Sequence, residues 1–137
     1  SALAGAVVLL GTGNVSAETP SVPQLKLELN KLEPADSACR ISFVVRNGGD
    51  TAFTEVVTDL VFFDQAGIIL TRRSLDLGQL KPKKTQVFSF PMESFRCDQL
   101  GEVLLNEAMG SEGRTGNAAD CTDRVQVSYR GDVPFTK

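Results

Sequence analysis

Cys39, Ile41, Phe43 and Val45 alternate with Arg40, Ser42, Val44 and Arg46. A period of two puts the first set on one face of an extended chain and the second on the other, the pattern of a half-buried β-strand. Further on, the stretch from Val56 to Phe63 is rich in apolar residues at both parities, as suits a strand with neighbours on both sides. Between the two runs lies a short loop, Asn47-Gly48-Gly49-Asp50, and Asp64-Gln65-Ala66-Gly67 closes the second. Asp at the first turn position and Gly at the fourth suit a type I turn. The pair reads as a hairpin able to seed a sheet, and it carries no evident chemistry.

The same alternation recurs along the chain. Leu25, Leu27 and Leu29 alternate with Lys26, Glu28 and Asn30. A strand is expected from Gly67 through Ile68 and Ile69 to about Leu77. Lys81-Pro82-Lys83-Lys84 is a turn whose lysines solvate the loop. Thr85 to Phe90 alternates with Phe88 and Phe90 inward, and Val125, Val127 and Tyr129 form a last strand. Cys97 to Asn106 reads as a turn, with a helical turn near Asp98, leading into another strand. The run from Met109 to Asp120 holds Gly110, Gly113 and Gly116 and few apolar residues, which predicts a long exposed loop. About seven strands at short spacing predict an all-β fold, an immunoglobulin-like antiparallel β-sandwich, with an up-and-down barrel as the alternative. Phe43, Val45, Leu60, Phe62, Phe88 and Val127 are expected to share its core.

Residues 1–17 carry no charged side chain, and Ala2 to Leu10 is an apolar run ended by Gly11-Thr12-Gly13-Asn14. Val15-Ser16-Ala17 fits the small-x-small pattern of a signal-peptidase site, which places cleavage after Ala17. The run is shorter than the roughly 20 residues that a transmembrane helix needs. The expected organisation is therefore 1–17 signal peptide, 18–23 extended leader carrying Pro20 and Pro23, and 24–137 a single β-sandwich domain, exported and periplasmic. The other reading of the apolar run is a buried N-terminal helix or strand.

The 137 residues suffice for one ordinary domain, and 42% hydrophobic content supports a packed core. The net charge of -3 offers no footprint for nucleic acid and no basic run for anionic lipid. Histidine is absent, which excludes Ser-His-Asp and Cys-His catalysis and His-built zinc sites. No cofactor and no metal site are expected, since no D-x-[DN]-x-[DN]-G calcium loop occurs. Asp59 with Asp64, or Asp120 with Asp123, could be paired as acid and base. Seventeen acidic residues produce such pairs by chance, so no catalytic residue is assigned. Arg130-Gly131-Asp132 matches an adhesion tripeptide but reads as a strand end and turn. Asn14-Val15-Ser16 matches a glycosylation acceptor inside the expected signal peptide.

Three cysteines in an exported chain allow one disulfide and leave one thiol. Loop closure gives about 4 kcal/mol for Cys39–Cys97 and about 3.5 kcal/mol for Cys97–Cys121, so entropy does not choose. The inward parity of Cys39 favours Cys39–Cys97, leaving Cys121 as the free thiol.

Leu60-Val61-Phe62-Phe63-Asp64, with Val45-Arg46-Asn47-Gly48-Gly49 upstream and Leu80-Lys81-Pro82 downstream, resembles the FxLyD-type domains of exported bacterial proteins over about Ile41 to Phe90. Leu27-Glu28-Leu29-Asn30-Lys31-Leu32-Glu33-Pro34, Ala38-Cys39-Arg40 and Cys97-Asp98-Gln99-Leu100-Gly101 make the chain similar to a family of small exported alphaproteobacterial proteins with Tat-type signals. That resemblance implies a periplasmic β-sandwich of no established activity. Members often carry a fourth Cys where this chain reads Met109-Gly110-Ser111, a loss that fits an unpaired Cys121.

The expected function is a non-enzymatic periplasmic binding or interaction module, with an envelope protein as partner and no nucleic acid. Its candidate interaction loop holds Asn106, Met109, Ser111, Arg114, Asn117 and Asp120. The alternatives are a subunit or accessory factor of an envelope complex, and a redox accessory or enzyme using Cys121 or surface carboxylates.

Overall fold

The computed structural model describes residues 24–113 and 117–137, besides Gly5 and Gly11. The expected signal peptide at 1–17 and leader at 18–23 otherwise lie outside the described residues, as does Arg114. Among the described residues nine strands follow one another: β1 Leu25–Ala35, β2 Ala38–Asn47, β3 Phe53–Asp64, β4 Ile69–Leu80, β5 Thr85–Met92, β6 Leu100–Glu112, β7 Ala119–Asp120, β8 Val125–Tyr129 and β9 Phe135–Thr136. Short 3-10 turns at Cys97–Gln99 and Thr122–Arg124 lead into β6 and β8. Among the described residues no helix is long and apolar enough to cross a membrane.

The strands form two sheets. One has the order β5-β2-β1-β8 and the other β4-β3-β6-β7, with β9 also paired to β6. Cys39, Ile41, Phe43 and Val45 on β2 and Leu25, Leu27 and Leu29 on β1 are all buried, and they meet Val56, Leu60 and Phe62 of β3 in one core. Burying one face of each sheet against the other is the sandwich solution. Phe88 and Val127 are half-buried at its margin. They lie on β5 and β8, the two edge strands of the first sheet.

The expected hairpin of β2 and β3 does not form. Asn47 ends one strand in the first sheet, and Phe53 begins the next strand in the second, so the chain crosses between layers. Asn47 makes the corner. Its amide nitrogen donates to the carbonyls of Thr51 (2.9 Å) and Leu80 (3.1 Å), and its Oδ1 accepts from the Gly49 N–H (3.0 Å) and the Gln24 amide. A buried Asn is tolerated here because its amide capacity is satisfied. The turn after β3 is as expected. The Gly67 N–H donates to the Asp64 carbonyl, and Gly67 adopts φ 80, which suits glycine.

Two pairings are parallel, unlike the all-antiparallel sheet expected. β8 runs parallel to β1 and β9 runs parallel to β6. After β7 the chain leaves one sheet for the other edge of the sandwich, then returns. β9 places Phe135 in the core, edge-on to Phe43 at 5.5 Å between centroids. At the open seams arginines act as closures. The Arg73 guanidinium lies 5.1 Å above the Phe90 ring between β4 and β5, and Arg124 lies 5.2 Å above Phe53 on the opposite side.

The structure joins Cys39 to Cys97, with Cα atoms 4.8 Å apart. The bridge ties β2 of one sheet to the turn that opens β6 of the other, and Cys39 is fully buried.

Candidate functional site

The first part of the expected interaction loop is a strand. Asn106, Met109 and Ser111 belong to β6, which runs to Glu112. Alternation failed as a signal because Ala108 and Gly110 occupy its inward positions. They are small, and the larger apolar side chain of the run, Met109, stands on the opposite parity, so the inward face gives no apolar signal. Gly110 has a packing reason: a Cβ there would lie 3.0 Å from the Cys121 sulfur. Asn117 precedes β7, and Asp120 ends it. Of the six expected residues, Met109 lines one hollow and Asn117 and Asp120 line another; Asn106 bonds to Asp59 beside the first, the Ser111 carbonyl accepts from the Thr54 hydroxyl, and Arg114 lies outside the described residues.

The first hollow is a shallow cleft of about 340 Å³ on the outer face of the second sheet, lined by Val57, Asp59, Arg72, Ser74, Glu107 and Met109. A β-bulge builds it. Asp59 pairs with Glu107 and Leu60 with Leu105, which leaves Asn106 as the extra residue. Bulges re-aim side chains, and here the Asn106 amide donates to Asp59 Oδ2 at 2.9 Å. Arg72 grips the same carboxylate with two N–H groups, Nε to Oδ1 at 2.9 Å and Nη2 to Oδ2. The hydrogen bond from Arg72 holds the Asp59 carboxyl below its ordinary value near 3.8, with burial opposing and Asn106 assisting.

That shift has a sign. A carboxylate whose folded value is depressed stabilises the fold above its unfolded pKa and loses that contribution as pH falls through the folded value. Asp59→Asn is therefore expected to lower stability modestly at neutral pH, where the charged Asp59 contributes, and to converge with the native protein below about pH 4, which flattens the acid limb of the profile. Urea midpoints measured along an acid series check this. Parallel profiles for the two proteins would place the acid sensitivity elsewhere.

The second hollow, about 150 Å³, is lined by Phe53, Gly110, Asn117, Asp120, Cys121 and Arg124 among others. Asp120 caps the 3-10 turn, accepting from the Thr122 N–H (2.9 Å) and hydroxyl (2.6 Å). The Thr122 hydroxyl accepts in turn from the Ala108 N–H at 2.9 Å. These bonds from Thr122 lower the Asp120 pKa. Arg124 pairs with Glu112 and donates to the Gln24 side-chain oxygen. Sequence reasoning missed this cluster because Gln24, Phe53, Glu112 and Arg124 are far apart in the chain.

Cys121 is unpaired, as the odd cysteine was expected to be, but it is only 6% exposed. Its N–H donates to the Ala108 carbonyl at 2.8 Å. Burial pushes the thiol pKa up, against the opposing charge of Arg124. A buried thiol held protonated is a poor nucleophile. We expect a soluble thiol reagent to leave Cys121 unmodified in the folded protein and to modify it fully in denaturant without reductant. Rapid labelling of native protein would show that the β6–β7 corner opens.

The other carboxylate suggestion also resolves into local bonding. Asp64 Oδ1 accepts from the N–H groups of Ala66 and Ile68, both at 2.9 Å, so it orders the turn. Arg130 of the Arg-Gly-Asp run pairs with Glu28 at 3.2 Å on an exposed bend. Among the described residues no group of three or more acidic or cysteine side chains could hold a metal ion.

No protein-family model and no curated protein matches the sequence. Among solved structures the fold is similar to IrmA from Escherichia coli, with TM-score 0.60 at 15% identity, covering 75% of this chain and 89% of that one. An exo-β-N-acetylglucosaminidase from Vibrio harveyi also matches, with TM-score 0.47 at 17% identity, covering 80% of this chain and 18% of that one. At these identities the likeness to IrmA is one of fold, a β-sandwich.

Proposed function

We propose that this chain is a non-enzymatic interaction module of the bacterial envelope, exported to the periplasm, and that it binds a protein partner through the outer face of the second sheet. The observation that carries the proposal is the cleft at the β6 bulge. Val57 and Met109 form an apolar floor there, and the Asp59–Arg72–Asn106 set provides a polar rim with fixed geometry. Interaction surfaces combine an apolar centre with a hydrogen-bonding rim in this way. The Cys39–Cys97 bridge supports export, because such bonds persist in oxidising compartments. The resemblance to small exported alphaproteobacterial proteins and the signal-like start, with the mature chain beginning at Glu18, support it independently. The burial of Cys121 and the turn-capping roles of Asp64 and Asp120 speak against the redox or enzymatic alternative.

A photocrosslinking residue placed at Met109 tests the reading in intact cells. It should give a discrete adduct with one envelope protein, while the same residue at the exposed Glu93 gives none. A stoichiometric complex that survives purification would identify the envelope-subunit version. Identical patterns from the two positions, or no adduct at Met109, would refute the surface.

A further inference from the structure

On the outer face of the first sheet, one cross-strand row runs Thr85, Arg46, Lys26, Gln126. All four residues are exposed. Register partners on neighbouring strands share a face about 4.8 Å from strand to strand. Lys26 and Arg46 therefore set two positive charges side by side, an arrangement that costs stability in a sheet. Among the described residues the Arg46 side chain donates only to the Thr85 hydroxyl, at 3.4 Å. Lys81 and Lys84 belong to the turn that leads into Thr85, at the end of the sheet where this row lies. Among the described residues none of these four cations stands in an ion pair, whereas the neighbouring Lys83 is taken by Asp50 and by the Gly48 carbonyl. The nearest acid on the face, Glu28, is occupied by Asn30 and Arg130. The next row brings Val87 and Val44 together on the same face, and Val87 is 66% exposed.

The geometry points to a docking surface for an anionic phospholipid bilayer, formed by Lys26, Arg46, Lys81 and Lys84 with Val87 beside them. Lys26, Arg46 and Val87 lie on neighbouring strands of one sheet face, and Lys81 and Lys84 in the turn at its end. The cations are spread over three chain segments, which suits an array of headgroup phosphates better than one buried anion. An exposed valine next to the cations matches the layered chemistry of a membrane interface, where apolar groups enter beneath the headgroups. A soluble acidic polymer would use the charges and leave Val87 unexplained. No basic run marks the site in the sequence, because the fold assembles it from positions 26, 46 and 81–84 in a chain of net charge -3.

Vesicle flotation with phosphatidylglycerol diluted in phosphatidylcholine tests this on the full chain. Each cation near an anionic surface contributes about fivefold in partitioning, so K26Q/R46Q should weaken binding about 25-fold. Raised salt should do the same, and V87S should weaken binding at constant charge. R40Q, at the other end of the same strand, should leave it within about twofold. The melting temperature of K26Q/R46Q should stay level or rise, because a like-charge pair is removed, which separates lost binding from lost folding. Equal binding to pure phosphatidylcholine, no binding to anionic vesicles, or equal losses in R40Q and K26Q/R46Q would overturn the inference. Retention on soluble polyphosphate with V87S unaffected would overturn it too. Failure here leaves the protein-partner reading standing, since that surface lies on the opposite sheet.

Discussion

Replacing Phe62 with Ala is expected to cost about 3–5 kcal/mol of folding free energy, whereas Phe63→Ala should cost much less. Phe62 is fully buried on β3, between register partners Thr71 and Val103, and its ring lies 5.5 Å from that of Phe95. Deleting it removes apolar contact and leaves a cavity that two sheets held in register cannot readily close. Phe63 is the next residue and faces the other way, half-buried on the outer surface. The two substitutions have the same chemistry and differ only in parity. Urea denaturation with unchanged slope measures both losses. Equal losses, or a larger loss for Phe63→Ala, would mean that the face assignment of β3 is reversed by a one-residue slip.

The parity of β3 was legible in the sequence because Leu60 and Phe62 keep step with Val56 across the core. β1 and β2 were legible for the same reason. Periodicity does not report which strands pair. Nothing in Val125, Val127 and Tyr129 indicates that β8 lies parallel beside β1, and Tyr129 is 47% exposed because the strand is at an edge. β9 has only two residues, too few to show a period, yet it places Phe135 in the core. The β6 error has a different cause. A bulge at Asn106 shifts the alternation by one, and the inward Ala108 and Gly110 give no hydrophobic signal. The polar fasteners, Asn47 at the layer crossing and Arg124 at the seam, draw partners from positions as distant as 24, 51, 80 and 112. A single sequence cannot display such sets. The fold was readable where a property repeats locally, and the candidate site was not, because its defining features are a break in that repeat and contacts between remote strands.

Opening the Cys39–Cys97 bridge should destabilise the protein by about 4 kcal/mol, the loop-closure entropy for cysteines separated by 58 residues. The bond joins the two sheets at the end where β6 begins. In the unfolded chain it brings together segments that would otherwise be far apart, so its loss falls chiefly on the unfolded ensemble. Two routes test this. Cys97→Ala removes the half-exposed partner and leaves a neutral thiol in the core at Cys39. Cys39→Ser is a poorer choice, since it adds an unsatisfied hydroxyl at a fully buried position and inflates the loss. Native protein melted in reductant should match Cys97→Ala, while Cys97→Ala itself should be insensitive to reductant. The free Cys121 supplies the control. Cys121→Ala should leave the reductant effect intact, whereas a bridge between Cys97 and Cys121 would make that variant indifferent to reductant. A loss below about 1 kcal/mol in both tests would mean that the reduced chain keeps these segments together before it folds.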